Sequence, residues 1–217
     1  MRSYLLLLRF AALNVVALGL LAAVWLEGWV ELVLAADVTR ITTGIAVVFA
    51  AGWSISAYRL VRCSRELNAA CDPASEEPSR ARWYRDLVAE ARPEGRGAIA
   101  ECLRARLYAR IAVVRTISNS LVILGLIGTV IGFIIALSGV DANAVADVGA
   151  IGPMVSTLIK GMAVALYTTL VGAVFHVWLL VNYQVVATGT VNLANAIIER
   201  AEAPGHFARR AAEAGHA

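Results

Sequence analysis

Three threonines and one histidine stand out in this chain because their polar groups sit in otherwise aliphatic surroundings. Thr129 lies in GLIGTVIG at residues 125–132, Thr168 and Thr169 lie in ALYTTLVG at 165–172, and His176 follows on the same apolar segment. A hydroxyl among aliphatic side chains costs free energy unless it is hydrogen-bonded, and the bonds that satisfy it can also order water. An imidazole with an ordinary pKa of about 6.5 could exchange protons with water, while its plain alternative is a neutral ring hydrogen-bonded between helices. The same stretches carry Gly125, Gly128, Gly132, Gly161 and Gly172. Glycine weakens a helix, so its repeated use implies that something approaches these helices closely.

Other chemistries find no foothold. The chain has no HExxH, no nucleophile elbow and no phosphate-binding loop, and GLIGTVIG lacks the preceding strand that a dinucleotide loop needs. Cys63, Cys71 and Cys102 show neither CxxC spacing nor a nearby histidine pair, so no disulfide framework or metal site is expected and a reduced cytoplasmic setting accounts for them. An enzyme and a cofactor are not expected.

The elements that must position these residues are membrane helices. The 217 residues are 59% hydrophobic and 16% charged, with a mean hydropathy of +0.71, which marks an integral membrane protein. A run from Tyr4 to Leu26, broken by Arg9 and Asn14, is long enough to cross a hydrocarbon core of about 30 Å. It reads as an anchor and not as a signal peptide, being too long and lacking an A-x-A site. A short acidic turn with Glu27, Glu31 and Asp37 leads to a second span from about Ile41 to Leu60. A polar region follows, with loop signals at CDPASEEPSR and ARPEGRG around the helical stretch RWYRDLVAEA. From Gly97 a helical pattern runs unbroken into the third span, ending near Gly139, and GVDANAVADVGAIGP turns the chain into a fourth span over about Val155 to Val181.

The expected fold is therefore an all-α integral membrane protein with four transmembrane helices, long helices reaching into the cytoplasm, and both termini cytoplasmic. Four segments are expected: residues 1–61 with the first two spans, 62–109 cytoplasmic, 110–182 with the third and fourth spans, and 183–217 as a cytoplasmic helix and tail. Orientation rests on the arginines gathered between Arg59 and Arg115, against net acidic turns at Glu31 and Asp141. The same placement explains the pI of about 9.0 without nucleic-acid binding.

Helical spacing puts Ser118, Val122, Gly125, Thr129, Gly132 and Ala136 on one face of the third span, with Leu126, Val130, Phe133 and Leu137 elsewhere. In the fourth span Gly161, Ala165, Thr169, Gly172 and His176 share a face, away from Tyr167, Leu170, Val174 and Val177. Gly125, Gly128, Gly132, Gly161, Ala165 and Gly172 are the expected packing residues. Lys160 is expected to snorkel to the interface or to pair with Asp141 or Asp147. Trp25, Trp29, Trp53, Trp178 and Tyr183 read mostly as interfacial anchors, and the charges from Arg80 to Glu101 as a solvated surface.

GLIGTVIG followed by ALYTTLVG resembles the paired signature of the MotA/TolQ/ExbB proton channel family, with Thr129 and Thr169 at the positions of that family's two pore threonines. The resemblance spans roughly Gly97 to Asn195. Val164 stands where the TolQ and ExbB branch has an acid, Trp178 falls near that branch's proline, and the four crossings are as in MotA. The cytoplasmic segment is much shorter than a flagellar stator's.

The resemblance implies a pore-forming subunit of a proton-driven rotary motor in the bacterial inner membrane, with Na+ as the alternative ion. Five copies would ring a dimer of a single-span MotB/ExbD/TolR-like partner carrying a membrane aspartate, with Thr129, Thr168, Thr169 and His176 along the ion pathway. A relay across lipid needs an ionisable group, and the third and fourth spans contain no Asp or Glu, so the carboxylate would have to come from another chain. The other open reading is a four-helix membrane scaffold whose glycines serve oligomer packing, with no ion transport.

Overall fold

The computed structural model describes residues 2–37, 39–71, 79–90, 92, 95–140 and 148–202. Among these residues every regular element is a helix: α1 (Arg2–Leu26), α2 (Trp29–Ala36), α3 (Ile41–Cys71), α4 (Ser79–Glu90), α5 (Arg96–Ser138) and α6 (Val148–Glu202). Helices α1, α3, α5 and α6 are each long and apolar enough to cross a membrane. Only 11% of the most apolar window of α1 and 33% of that of α6 is buried within the chain. Leu26, Leu137 and Leu166 are among the large side chains left exposed, an outward apolar surface suited to hydrocarbon and costly in water.

Two boundaries differ from the sequence expectation. The acidic turn is mostly the eight-residue α2, entered through Gly28 at φ +77°, a left-handed conformation that glycine adopts without strain. Pro153 does not end the turn before the fourth span; it lies inside α6, five residues after the helix begins at Val148. So close to the N-terminus it removes a single intrahelical bond. Asp141 and Asp147, and much of the two loops flanking α4, lie outside the described residues. At 1.5 Å per residue α5 and α6, of 43 and 55 residues, extend for about 65 and 80 Å, far beyond a hydrocarbon core.

The chain divides into two compact units, one of residues 1–11, 56–113 and 183–217 and the other of residues 12–55 and 114–182. Within its described residues, the first packs α4 on polar-region turns of α3, α5 and α6 around Leu67, Tyr84, Val88, Leu103, Leu107, Leu193 and Ile197. Arg106 lies over the Trp83 ring at 4.4 Å, and the Arg200 guanidinium donates to the Ala69 carbonyl at 2.7 Å, closing the far end of α3 and α6. Leu6, Leu60, Ile111 and Val186 form a second buried cluster in this unit.

The other unit holds the most apolar turns of α1, α3, α5 and α6. Phe49 of α3 stacks on Phe175 of α6 with centroids 4.3 Å apart and lies against Trp178 at 5.0 Å. Between α2 and α3, Asp37 accepts from the Thr39 hydroxyl at 2.9 Å and the Thr42 backbone N–H at 2.7 Å. Burial alone would raise its pKa, but the hydrogen bonds from Thr39, Thr42 and Ile41 outweigh it and hold the carboxyl below its ordinary value.

Candidate functional site

The glycines let the backbones of α5 and α6 meet. A Cβ placed on Gly132 would stand 2.7 Å from the Gly161 carbonyl oxygen and 2.8 Å from the Ala165 Cα. One on Gly161 would stand 2.6 Å from both the Gly132 carbonyl oxygen and the Ala136 Cα, and one on Gly172 would stand 2.8 Å from the Leu121 carbonyl oxygen. All lie inside the 3.4 Å at which ordinary van der Waals contact begins. Without a hydrophobic drive between helices in lipid, such close approach is a main source of association. The partners are atoms of the same chain, so these glycines fasten α5 to α6 within one subunit.

The buried ridge of α5 is Ser118, Leu121, Gly125, Gly128, Gly132 and Ala136. Val122, expected on this face, is 44% exposed. The seven-residue step from Ser118 to Gly125 can be divided as three and four or as four and three. The first division is the one realised, because Leu121 lies opposite Gly172.

At the edge of this ridge the two threonines meet. The Thr129 and Thr169 hydroxyls are hydrogen-bonded to each other across the two helices. Each also lies within reach of the Gly125 carbonyl, at 3.2 Å from either side, and Thr129 reaches the Ala165 carbonyl at 3.4 Å. A hydroxyl has one hydrogen and two lone pairs. One threonine therefore donates to the other, which passes its own hydrogen to a carbonyl, and the direction can reverse. Thr129 is half-buried and Thr169 exposed, so oxygen lone pairs remain open to a group arriving from outside the chain.

Thr168 is placed differently. It is fully buried, faces Gly128, and donates to carbonyls of its own helix at Val164, 2.9 Å, or Ala165, 3.2 Å. One residue along a helix is a turn of about 100°, which carries Thr168 away from the exposed pair and into the α5–α6 packing. Expected on the ion pathway, it does not join the other two hydroxyls.

His176 pairs with Ser118 across the same two helices, two turns beyond Thr169. Its Nδ1 lies 2.8 Å from the Ser118 carbonyl and 3.0 Å from the Ser118 Oγ, while that hydroxyl donates to the His176 carbonyl at 3.1 Å. A carbonyl can only accept, so this contact puts the hydrogen on Nδ1 and leaves Nε2 as the acceptor of the neutral ring. Lys160 is exposed; the aspartates expected to pair with it lie outside the described residues.

Sequence reasoning missed a second polar cluster. Asn14 of α1, 5% exposed, accepts through Oδ1 from the Trp53 indole of α3 at 2.8 Å and the Trp178 indole of α6 at 3.0 Å. Its Nδ2 donates to the Asn182 Oδ1 at 2.7 Å, and Asn182 donates to the Trp178 carbonyl at 2.9 Å. Trp53 and Trp178 are thus not interfacial anchors, the reading given them from sequence; their N–H groups are used inside the helix bundle. Trp25 and Trp29 are exposed. The available signal was an asparagine and two indoles within spans, each of which needs a partner in lipid.

Residues 95–198 match the model of the MotA/TolQ/ExbB proton channel family, the family that the two glycine-threonine motifs resemble. No curated protein and no solved structure matches the chain.

Proposed function

From the match of residues 95–198 to the MotA/TolQ/ExbB proton channel family model, we propose that the chain is a member of that family and the pore-forming subunit of a proton-driven rotary motor. Five copies ring a dimer of a single-span partner whose membrane carboxylate carries the ion, in a bacterial inner membrane with both termini inside. Na+ is the alternative ion. The observation that carries this reading is the Thr129–Thr169 hydroxyl pair, linked across α5 and α6 yet left partly open at their surface.

In this mechanism the carboxylate of the partner stands beside the pair. When protonated it donates to a threonine oxygen; when ionised it accepts from whichever hydroxyl turns toward it. The pair reverses its internal hydrogen bond to suit either state, so neither is left unsatisfied in a dry site. His176, with Nε2 free to accept, stands two turns away as a proton acceptor on the cytoplasmic side. A membrane potential supplies about 2.3 kcal/mol per charge per 100 mV, enough for each ion crossing to drive a step. The scaffold alternative called on the glycines to join subunits, and it is weakened because their contacts are taken up between α5 and α6 of one chain.

The test is Thr169→Val in the complex purified from its native membrane. The substitution keeps the side chain's shape and removes the hydroxyl. Proton uptake into proteoliposomes under an imposed potential should fall at least about tenfold, with the intact mass still that of five copies and two partners. Unchanged uptake would refute the channel reading; loss of the assembled mass would favour a packing role.

A further inference from the structure

The charged end of the first unit contains a cavity that the channel reading does not use. It encloses about 280 Å³ and is lined by Arg59 and Arg62 of α3, Arg80 of α4 and Arg110 of α5. Among the described residues, the carboxylate that meets these cations is Glu66, which takes Arg62 at 3.2 Å and Arg80 at 2.8 Å. Glu66 thus pairs with two of the four guanidinium groups. The Nη1 of Arg59 is closed off from solvent and meets no hydrogen-bond partner among the described residues, a costly condition for a charged donor. Burial pushes the Arg80 pKa down; the Glu66 charge opposes this, while the positive charges of Arg110 and Arg62 add to it. Among the described residues, the lining of the cavity carries four guanidinium groups and no carboxylate.

The rest of the lining is amphipathic. Leu107, Ile111 and Leu193 supply an apolar side and Thr190 a hydroxyl. Along α3, Arg59 comes directly after the apolar turns that begin at Ile41, the level at which a span gives way to headgroups and arginine stems snorkel. At about 30 Å³ per water the cavity has room for far more than one small ion. Phosphate suits the polar side, because its several oxygens accept from planar guanidinium forks. A glycerol and the start of acyl chains suit the other.

We infer that this arginine cavity is a binding site for a phosphate ester, supplied by the headgroup of an anionic phospholipid. The site stands on the first unit alone and does not depend on the channel reading.

The experiment takes the complex from its native membrane and reconstitutes it in nanodiscs of phosphatidylcholine with or without phosphatidylglycerol, and separately in phosphatidylcholine with millimolar inorganic phosphate. The readouts are the thermal midpoint and the phosphatidylglycerol retained after detergent washing. Phosphatidylglycerol should raise the midpoint and be retained, and Arg59→Gln should cut retention by about tenfold, as expected for one lost charge-assisted bond. Arg110 is exposed, so Arg110→Gln serves if the Arg59 variant fails to fold. Glu66→Gln frees two guanidinium groups and should tighten retention, a change of opposite sign that a merely structural role would not give. Arg104→Gln, whose residue pairs with Glu101 outside the cavity, should change nothing. Protection by inorganic phosphate but not by the lipid would overturn the lipid source and leave a free-oxyanion site. Equal retention in the wild type, Arg59→Gln and Arg110→Gln would overturn the site itself.

Discussion

Replacing Asn14 with leucine keeps the branching at Cγ and removes every polar atom. Three good hydrogen bonds go with it: the two indole donors at 2.8 and 3.0 Å and the amide donation to Asn182 at 2.7 Å. Polar contacts between membrane helices average about 0.6 kcal/mol each, so the simple loss is about 2 kcal/mol. Trp53 and Trp178 would in addition keep N–H groups facing a hydrocarbon side chain. If neither relaxes to another acceptor, the cost rises to about 4 kcal/mol.

The assay is unfolding in mixed micelles titrated with a denaturing detergent, followed by tryptophan fluorescence. Asn14→Leu and Trp178→Phe are compared singly and together. The double-mutant cycle should return a coupling of about 0.5–1.5 kcal/mol, because the pair shares a bond that either change removes. A coupling of zero, or a loss under about 0.5 kcal/mol for Asn14→Leu, would refute the claim that this cluster ties α1 and α3 to α6.

Three further outcomes are expected. Gly161→Ala should cost about 1–3 kcal/mol in the same unfolding assay, because its Cβ meets backbone atoms at 2.6 Å, whereas Gly19→Ala, with nothing within 4 Å, should be neutral or gain about 0.5–1 kcal/mol. Asp37 has a pKa lowered by folding, so its ionised form stabilises above the unfolded carboxyl value of about 4, and this is lost as pH falls through the lower folded value. Asp37→Asn should therefore be less stable than the wild type at pH 7, with the gap closing in acid. Gly28→Val forces a β-branched residue to φ +77° and should cost about 1–2 kcal/mol, read as a lower midpoint of thermal unfolding.

Much of the architecture was legible because hydropathy acts over long windows. The four spans, the RWYRDLVAEA helix and the run of α5 from polar to apolar turns all follow from them. Two paired motifs were enough to point to the family whose model matches residues 95–198 and to bring Thr129 and Thr169 to notice. Finer placement was not legible. Whether Leu121 or Val122 joins the ridge depends on what stands opposite, and Thr168 and Thr169 look alike until the crossing of α5 on α6 turns one inward. The Asn14 cluster joins residues up to 168 positions apart, which no local pattern encodes. Glycines mark close approach, and in the structure Gly132, Gly161 and Gly172 lie against atoms of the same chain, but spacing alone could not distinguish such a neighbour from one in another chain.

The length of α6 has a mechanical consequence. Within the second unit α6 runs without a break from Val148 to Asn182, about 50 Å along its axis, with Pro153 confined to its first turns. Tilting such a rod by about 5° at the level of Thr169 displaces Pro153, about 24 Å away along the axis, by about 2 Å, more than the rise of one residue. Small steric events beside a hydroxyl would thereby be multiplied by leverage alone, with a gain set by the length of the helix.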